Sequence, residues 1–319
     1  MKSMYPLSSY KFWKAYFIQC RPYLLFVSGI AGLAGISMLG EFSFSNLKLW
    51  LSFIPLFLGY GFGQALTDTW QTDTDSLSAP DRPLSKGIIS KKTVRIVSLL
   101  GLIGCSGLLV YLNYLNIIFG ILSIFGLSTY TSVKKNYWFA GPFYNAWIVA
   151  LLPIMGYLSI TGLGLVSLSN SSLLLVCLVS FFSYTNFVLM GYLKDISADK
   201  ATNYKTFPVL FGWNATVYVS DCIGIISMVL VLTLVSSRLS LIFALLAGIL
   251  TLIGQLYAHT TKVKDENNAH FPIVMTVRSF IFWHISIVLE YQSGLLYGVL
   301  LFYLFFEIFL SLRSEKKQV

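Results

Sequence analysis

Charge is what this sequence has least of. Only 11% of its 319 residues are Asp, Glu, Lys or Arg, against roughly 25% in an ordinary soluble domain. That is too little to cover a globule in water. Acids are the scarcer sign, 13 against 22 basic residues, for a formal charge of +9. Histidine and cysteine are few and scattered: Cys20, Cys105, Cys177 and Cys222 form neither a metal-ligand pair nor a disulfide framework. There is no Ser–His–Asp set, no phosphate-cradling glycine loop, no internal repeat and no second soluble domain. What is plentiful is apolar: 56% of residues are hydrophobic and the mean hydropathy is +0.74. Disorder and coiled coil are thereby excluded, and the chain reads as a polytopic membrane protein.

Apolar runs of membrane-spanning length lie near 22–40, 49–68, 93–112, 114–132, 142–161, 172–192, 213–236, 239–258, 272–290 and 293–312. The expected architecture is all-α, a single domain over 1–319 with nine or ten transmembrane helices around a central cavity. Residues 1–21 form an N-terminal segment and 313–319 a basic tail. The basic residues test this division. With the N-terminus inside, 19 of the 22 fall on the cytoplasmic side, and only Lys48 and Arg238 fall opposite. An even number of spans suits that asymmetry, so ten is preferred and both ends are expected in the cytoplasm. Positives placed by topology give no case for nucleic-acid binding. The partner they imply is the bilayer.

The acids carry more information, because a carboxylate is costly inside a bilayer. Six of the 13 occupy two short regions on one expected face: Asp68, Asp73, Asp75 and Asp81 after the second run, Asp195 and Asp199 after the sixth. If the second helix continues into the loop, Asp68, Gln71 and Asp75 stand at i, i+3 and i+7 on one face, with Asp73 pointing away. The following Pro80-Asp81-Arg82-Pro83 must leave helical geometry, which would turn Arg82 back over that face. In the second region Asp195, Asp199 and Asn203 are spaced to stack at i+4 steps. Acids with lysines close behind suit a magnesium-bridged phosphoanion. Magnesium takes oxygen ligands, one or two carboxylates plus substrate phosphates, and basic side chains neutralise the remaining charge.

These segments resemble the UbiA-type intramembrane prenyltransferases. The first family motif, Asn-x-x-x-Asp-x-x-x-Asp before a Pro-x-Arg-Pro segment, aligns with Thr67, Gln71 and Asp75 ahead of Pro80–Gly87. The second aligns with Asp195, Asp199 and Asn203–Pro208. A Tyr-x-x-x-Lys element after the fourth span aligns with Tyr130 and Lys134. The resemblance implies a helix bundle around a chamber capped by the two acidic loops, with Mg2+, a prenyl diphosphate and a lipophilic, often aromatic, acceptor. It implies Asp75, Asp195 and Asp199 as metal ligands and catalytic acids. Asp68 and Gln71 stand in for a first motif that has lost its Asn and one Asp, Asp68 as a further metal ligand. Arg82, Lys134 and Lys205 become clamps for the diphosphate, or else remain plain topology signals. Tyr130 either donates to a phosphate or anchors the interface.

The altered motif keeps open a terpene cyclase of the same superfamily, in which the ionised prenyl group is captured internally. A cation-coupled transporter is the reading from another class. Acids at helix ends beside lysines, rather than at mid-bilayer, argue against it. Asn145 and Asn186 either line the cavity or bond between helices. Asp221 and Arg278 are expected to pair or to snorkel. The three histidines are given no catalytic role.

Overall fold

The computed structural model describes residues 4–38, 46–161, 164 and 168–313. Beyond Arg313 the basic tail lies outside the described residues, as do the last two positions of the first apolar run.

Two helices lead in, α1 (Tyr10–Gln19) and α2 (Leu25–Ser37), meeting at a 50° bend. Ser9 caps α1 by accepting from the Phe12 N–H at 3.1 Å, which satisfies one otherwise unpaired donor. The bend is local chemistry: Arg21 is left-handed, φ 51°, and Pro22 opens the short 3-10 turn that feeds α2. Then come α3 (Leu47–Asp68), the short α4 (Thr72–Ser78), α5 (Lys91–Leu112), α6 (Asn116–Asn136), α7 (Ala140–Thr161) and α8 (Ser171–Gly191). After a second short helix, α9 (Ile196–Ala201), follow α10 (Phe207–Leu234), α11 (Arg238–Thr260), α12 (His270–Tyr291) and α13 (Leu296–Leu312). Among the described residues nine helices are long and apolar enough to cross a membrane, and the bent α1–α2 pair makes ten if it counts as one span.

Almost every position of α12 is buried, whereas α5 and α13 turn most of their surface outward. Around this axis α2 and α7 come into backbone contact. A Cβ on Gly35 would stand 1.9 Å from the Pro153 carbonyl oxygen, and one on Gly156 would stand 2.4 Å from that of Gly32. Small residues let membrane helices approach this closely. The far end of the bundle is fastened by buried amides: Asn113 Nδ2 donates to the Leu158 carbonyl at 3.0 Å and Asn116 Nδ2 to Ser159 Oγ at 2.9 Å.

Three expectations need correcting. The helix carrying Asp68 does not run on to Asp75. Thr69, Trp70 and Gln71 each bond three residues back, and the Thr67 and Thr69 hydroxyls donate to the Gln64 and Leu66 carbonyls. This tightening ends α3 before α4 begins, so the single i, i+3, i+7 face does not exist. Nor do Asp195, Asp199 and Asn203 share one face. The Asp199 N–H does bond the Asp195 carbonyl at 2.8 Å, but Asn203 is left-handed (φ 61°) and lies past the end of α9. Finally, Asp221 and Arg278 do not pair. Asp221 meets His259 of α11 and Arg278 meets Glu307 of α13, each at 2.7 Å, because their helices turn those residues toward different neighbours. Asn186 bonds between helices, accepting from Ser220 Oγ at 2.5 Å.

Candidate active site

Both acidic segments arrive at the same end of the bundle. Thr74 of α4 and Thr202 just after α9 touch through their hydroxyls at 2.9 Å, across 128 residues of sequence. Beside this contact the α1–α2 bend, the turn after α3 and the link from α8 to α9 enclose a pocket. Four cations, Arg21, Arg82, Lys134 and Lys194, and three carboxylates, Asp68, Asp75 and Asp195, line it.

Each acid is held differently. Asp75 is buried, with Oδ1 3.0 Å from Arg82 Nη1, so the Pro-Asp-Arg-Pro turn folds its arginine back onto α4. Burial pushes its pKa up to about 6, against the pull of Arg82. Asp195 is buried too, yet Lys194, Lys134 and Arg82 together outweigh that burial and hold its carboxyl below the usual range. Lys194 Nζ lies 2.7 Å from one oxygen of Asp195, and the other, Oδ1, is buried with no partner. Asp199 is fully buried and does not reach the pocket. It is bound by Lys134 Nζ at 3.3 Å and Thr206 Oγ1 at 3.1 Å, and burial raises its pKa despite the lysine. Asp68 accepts from Gln19 Nε2 at 2.6 Å, Gln64 Nε2 at 2.7 Å and Arg21 Nη2 at 3.0 Å, which fixes Arg21 in the pocket wall.

Gln71 also lines the pocket and donates to Thr131 Oγ1 at 3.2 Å. Tyr130 is there as well, its hydroxyl 2.9 Å from that of Tyr192. Lys134 sits 5.0 Å from the ring centres of both Tyr192 and Tyr204, a cation–π arrangement that steadies a buried ammonium. Lys205 is not brought in: its side chain is exposed away from the pocket and its backbone N–H bonds the Lys135 carbonyl. Asp73 faces outward, paired with Lys135 at 3.3 Å. Sequence reasoning missed Arg21, Gln19 and Gln64 as site residues and gave Lys194 little weight. Gln64 had a readable signal, standing one helical turn before Asp68. Arg21 had none, because a left-handed residue ahead of a proline decides where it points.

Below the charged pocket is an apolar chamber among α3, α5, α6 and α7. Tyr60, Gln64, Tyr130, Asn145 and Tyr184 line both spaces, so the first is the mouth of the second. The Tyr60 and Tyr184 hydroxyls meet at 2.8 Å across this neck. The chamber's free volume is only about 100 Å3, less than the roughly 300 Å3 at which ligand pockets usually begin.

Two buried polar atoms in this region lack partners, the acceptor Asp195 Oδ1 and the donor Arg21 Nε. A divalent cation and an anionic oxygen are what such a pair fits. Among the described residues no three His, Cys, Asp or Glu side chains converge tightly enough to cage a metal by themselves. The set therefore suits magnesium completed by substrate oxygens.

A charged mouth over an apolar chamber, buried among membrane-length helices, is an arrangement that suits an amphiphilic phosphoanion. The family model for UbiA prenyltransferases matches residues 25–285, and the chain belongs to that family of prenyltransferases. Digeranylgeranylglyceryl phosphate synthase of Pyrococcus abyssi is 25% identical over 216 residues, covering 68% of this chain and 76% of its own length. The apo structure of a UbiA homologue from Aeropyrum pernix superposes with a TM-score of 0.70 at 15% identity, covering 83% of this chain and 97% of that one. A UbiA homologue from Archaeoglobus fulgidus bound to DMAPP and Mg2+ gives 0.64 at 17% identity, covering 86% and 98%. At such identities the likeness establishes the fold.

Proposed function

We propose that this enzyme transfers a prenyl group from a magnesium-bound prenyl diphosphate to a lipophilic acceptor, at a site on the cytoplasmic face. The observation that carries the reading is the convergence of Asp75 and Asp195 with four cations on the mouth of one apolar chamber. The P. abyssi relative is named digeranylgeranylglyceryl phosphate synthase, and the A. fulgidus homologue holds DMAPP with Mg2+. The basic residues cluster on the same face as the site, which supports a cytoplasmic orientation.

In this reading Asp195, through its unpartnered oxygen, and Asp75 hold the metal. Bound there, magnesium supplies charge neutralisation on the diphosphate oxygens. Arg21, Arg82, Lys134 and Lys194 stabilise the charge that grows on the leaving oxygen as the allylic C–O bond breaks and its electron pair departs with diphosphate. The tail lies in the chamber, and its small free volume means that side chains part to admit it. At the neck the ring faces of Tyr60, Tyr130 and Tyr184 stand where positive charge develops on carbon. The apolar walls exclude water, so the acceptor captures that carbon and loses its proton. Asp199 orients Lys134.

Purified protein supplied with geranylgeranyl or farnesyl diphosphate provides the test. Magnesium-dependent diphosphate release that needs an added acceptor supports transfer. A hydrocarbon product without acceptor contradicts it.

A further inference from the structure

A second crevice, sharing no lining residue with the charged pocket or its chamber, opens between α10 and α11. Its volume is about 650 Å3, well within the range of ligand sites. It follows α11 from Leu245 to His259, about 21 Å at helical rise. Two glycines, Gly224 on α10 and Gly248 on α11, thin its walls. Most of its lining is apolar; Asp221, Gln255 and His259 gather at one end, while Thr251, committed to the Ala247 carbonyl, and Trp283, whose buried Nε1 has no partner, line it further along. At the polar end Asp221 pairs with His259 at 2.7 Å, and Gln255 lies beside them, 6% exposed. Gln255 Nε2 donates to the Ser220 hydroxyl, whereas Gln255 Oε1 is buried with no partner. A buried carbonyl oxygen left without a partner costs free energy that a donor reaching it would recover.

The chemistry of that end selects an occupant. An amide oxygen only accepts, so the ligand's head must carry a hydrogen to give. A phosphodiester at neutral pH has none. The crevice is lined by no Lys or Arg, and its one acid is already matched by an imidazole. Lys262 and Lys264 follow α11 in the loop and do not line the crevice, and Lys264 is committed to Asn214 at 2.5 Å. An uncharged hydroxyl meets both demands, donating to Gln255 Oε1 without bringing a charge. The apolar trough behind it suits a single extended chain. We propose that the α10–α11 crevice binds a neutral long-chain lipid with a hydroxyl head, separately from the prenyl diphosphate site.

The test uses the full-length protein in detergent and a long-chain alcohol bearing a diazirine on its tail. After illumination, label is expected on the α10 and α11 segments that line the crevice. Unlabelled alcohol should compete about two- to tenfold better than the alkane of equal length, the worth of one hydrogen bond. Gly248→Leu fills the trough and should abolish this labelling. A Cβ there meets only Met228, Sδ at 3.5 Å and Cε at 3.6 Å, both ordinary contacts, so the fold tolerates it, and retained prenyl transfer confirms that. Gln255→Leu should erase the alcohol's advantage over the alkane. Four outcomes overturn the proposal: no label on these segments, equal competition by alcohol and alkane, stronger competition by phosphatidylethanolamine, or cross-links between two protein copies through this face.

Discussion

Asp75 and Asp195 occupy one pocket in different electrostatic states. Asp195 is held ionised by Lys194, Lys134 and Arg82, so it presents a permanent negative oxygen. Asp75, raised to about 6 chiefly by burial, is still partly protonated near neutrality until a cation arrives. In the proposed role, protonation of Asp75 would remove the charge that holds the metal, so kcat/KM should fall as pH drops through about 6 and level off above it. A profile flat from pH 5 to 8 would contradict this role. Asp195→Asn or Asp75→Asn should each lower turnover by about a hundredfold or more, the usual scale for losing a preorganised charge contact, with the fold intact by circular dichroism. Lys205→Ala and Asp73→Ala should stay within a few-fold of wild type, since both side chains face away from the pocket. The acids were legible from their spacing to neighbouring prolines and lysines, an arrangement that serves little purpose in a plain loop. Arg21 was not. Its place depends on one backbone angle and on Asp68, which lies 47 residues further along.

At the scale of elements, the apolar runs located the long helices, α10 starting six residues ahead of its run, but could not show where a helix breaks. Thr67 and Thr69 have ordinary helix-compatible side chains, and only their hydroxyl bonds to the Gln64 and Leu66 carbonyls show how α3 ends. At α9 the Thr202 hydroxyl donates back to the Ala198 carbonyl and Asn203 turns left-handed, neither of which the sequence announced. Breaking the helices changes which residues converge, because α4 can then lean against α9 and seal Asp199 behind Lys134. Close contact between α2 and α7 likewise left no periodic signature. It should be fragile: Gly35→Val or Gly156→Val forces apart two backbones, and the expected loss is about 1–3 kcal/mol or more, read as a lower thermal midpoint in detergent. An unchanged midpoint in both variants would contradict the contact.

For the whole molecule, hydropathy and the one-sided distribution of lysine and arginine foretold a membrane bundle with its polar site at one end. The first apolar run decides the span count: its helix α2 has 13 residues and makes a span only together with α1 across the bend, a segment that lies outside that run. The orientation makes its own prediction. A cysteine at Lys264 or Lys205 should react with an impermeant maleimide only from the cytoplasmic side, and one at Tyr114, in the turn between α5 and α6, only from the opposite side. Labelling of all three from one side would refute the arrangement.

What joins these scales is cooperation between two acidic segments that the chain keeps over a hundred residues apart. Calorimetric titration of geranylgeranyl diphosphate, with and without magnesium, into wild type, Asp75→Asn, Asp195→Asn and the double variant measures that cooperation directly. If both carboxylates grip one metal-bound diphosphate, each single variant loses the magnesium-dependent gain in affinity and the double variant loses little more. Additive losses, or a gain that survives in both single variants, would mean that the two acids serve separate sites.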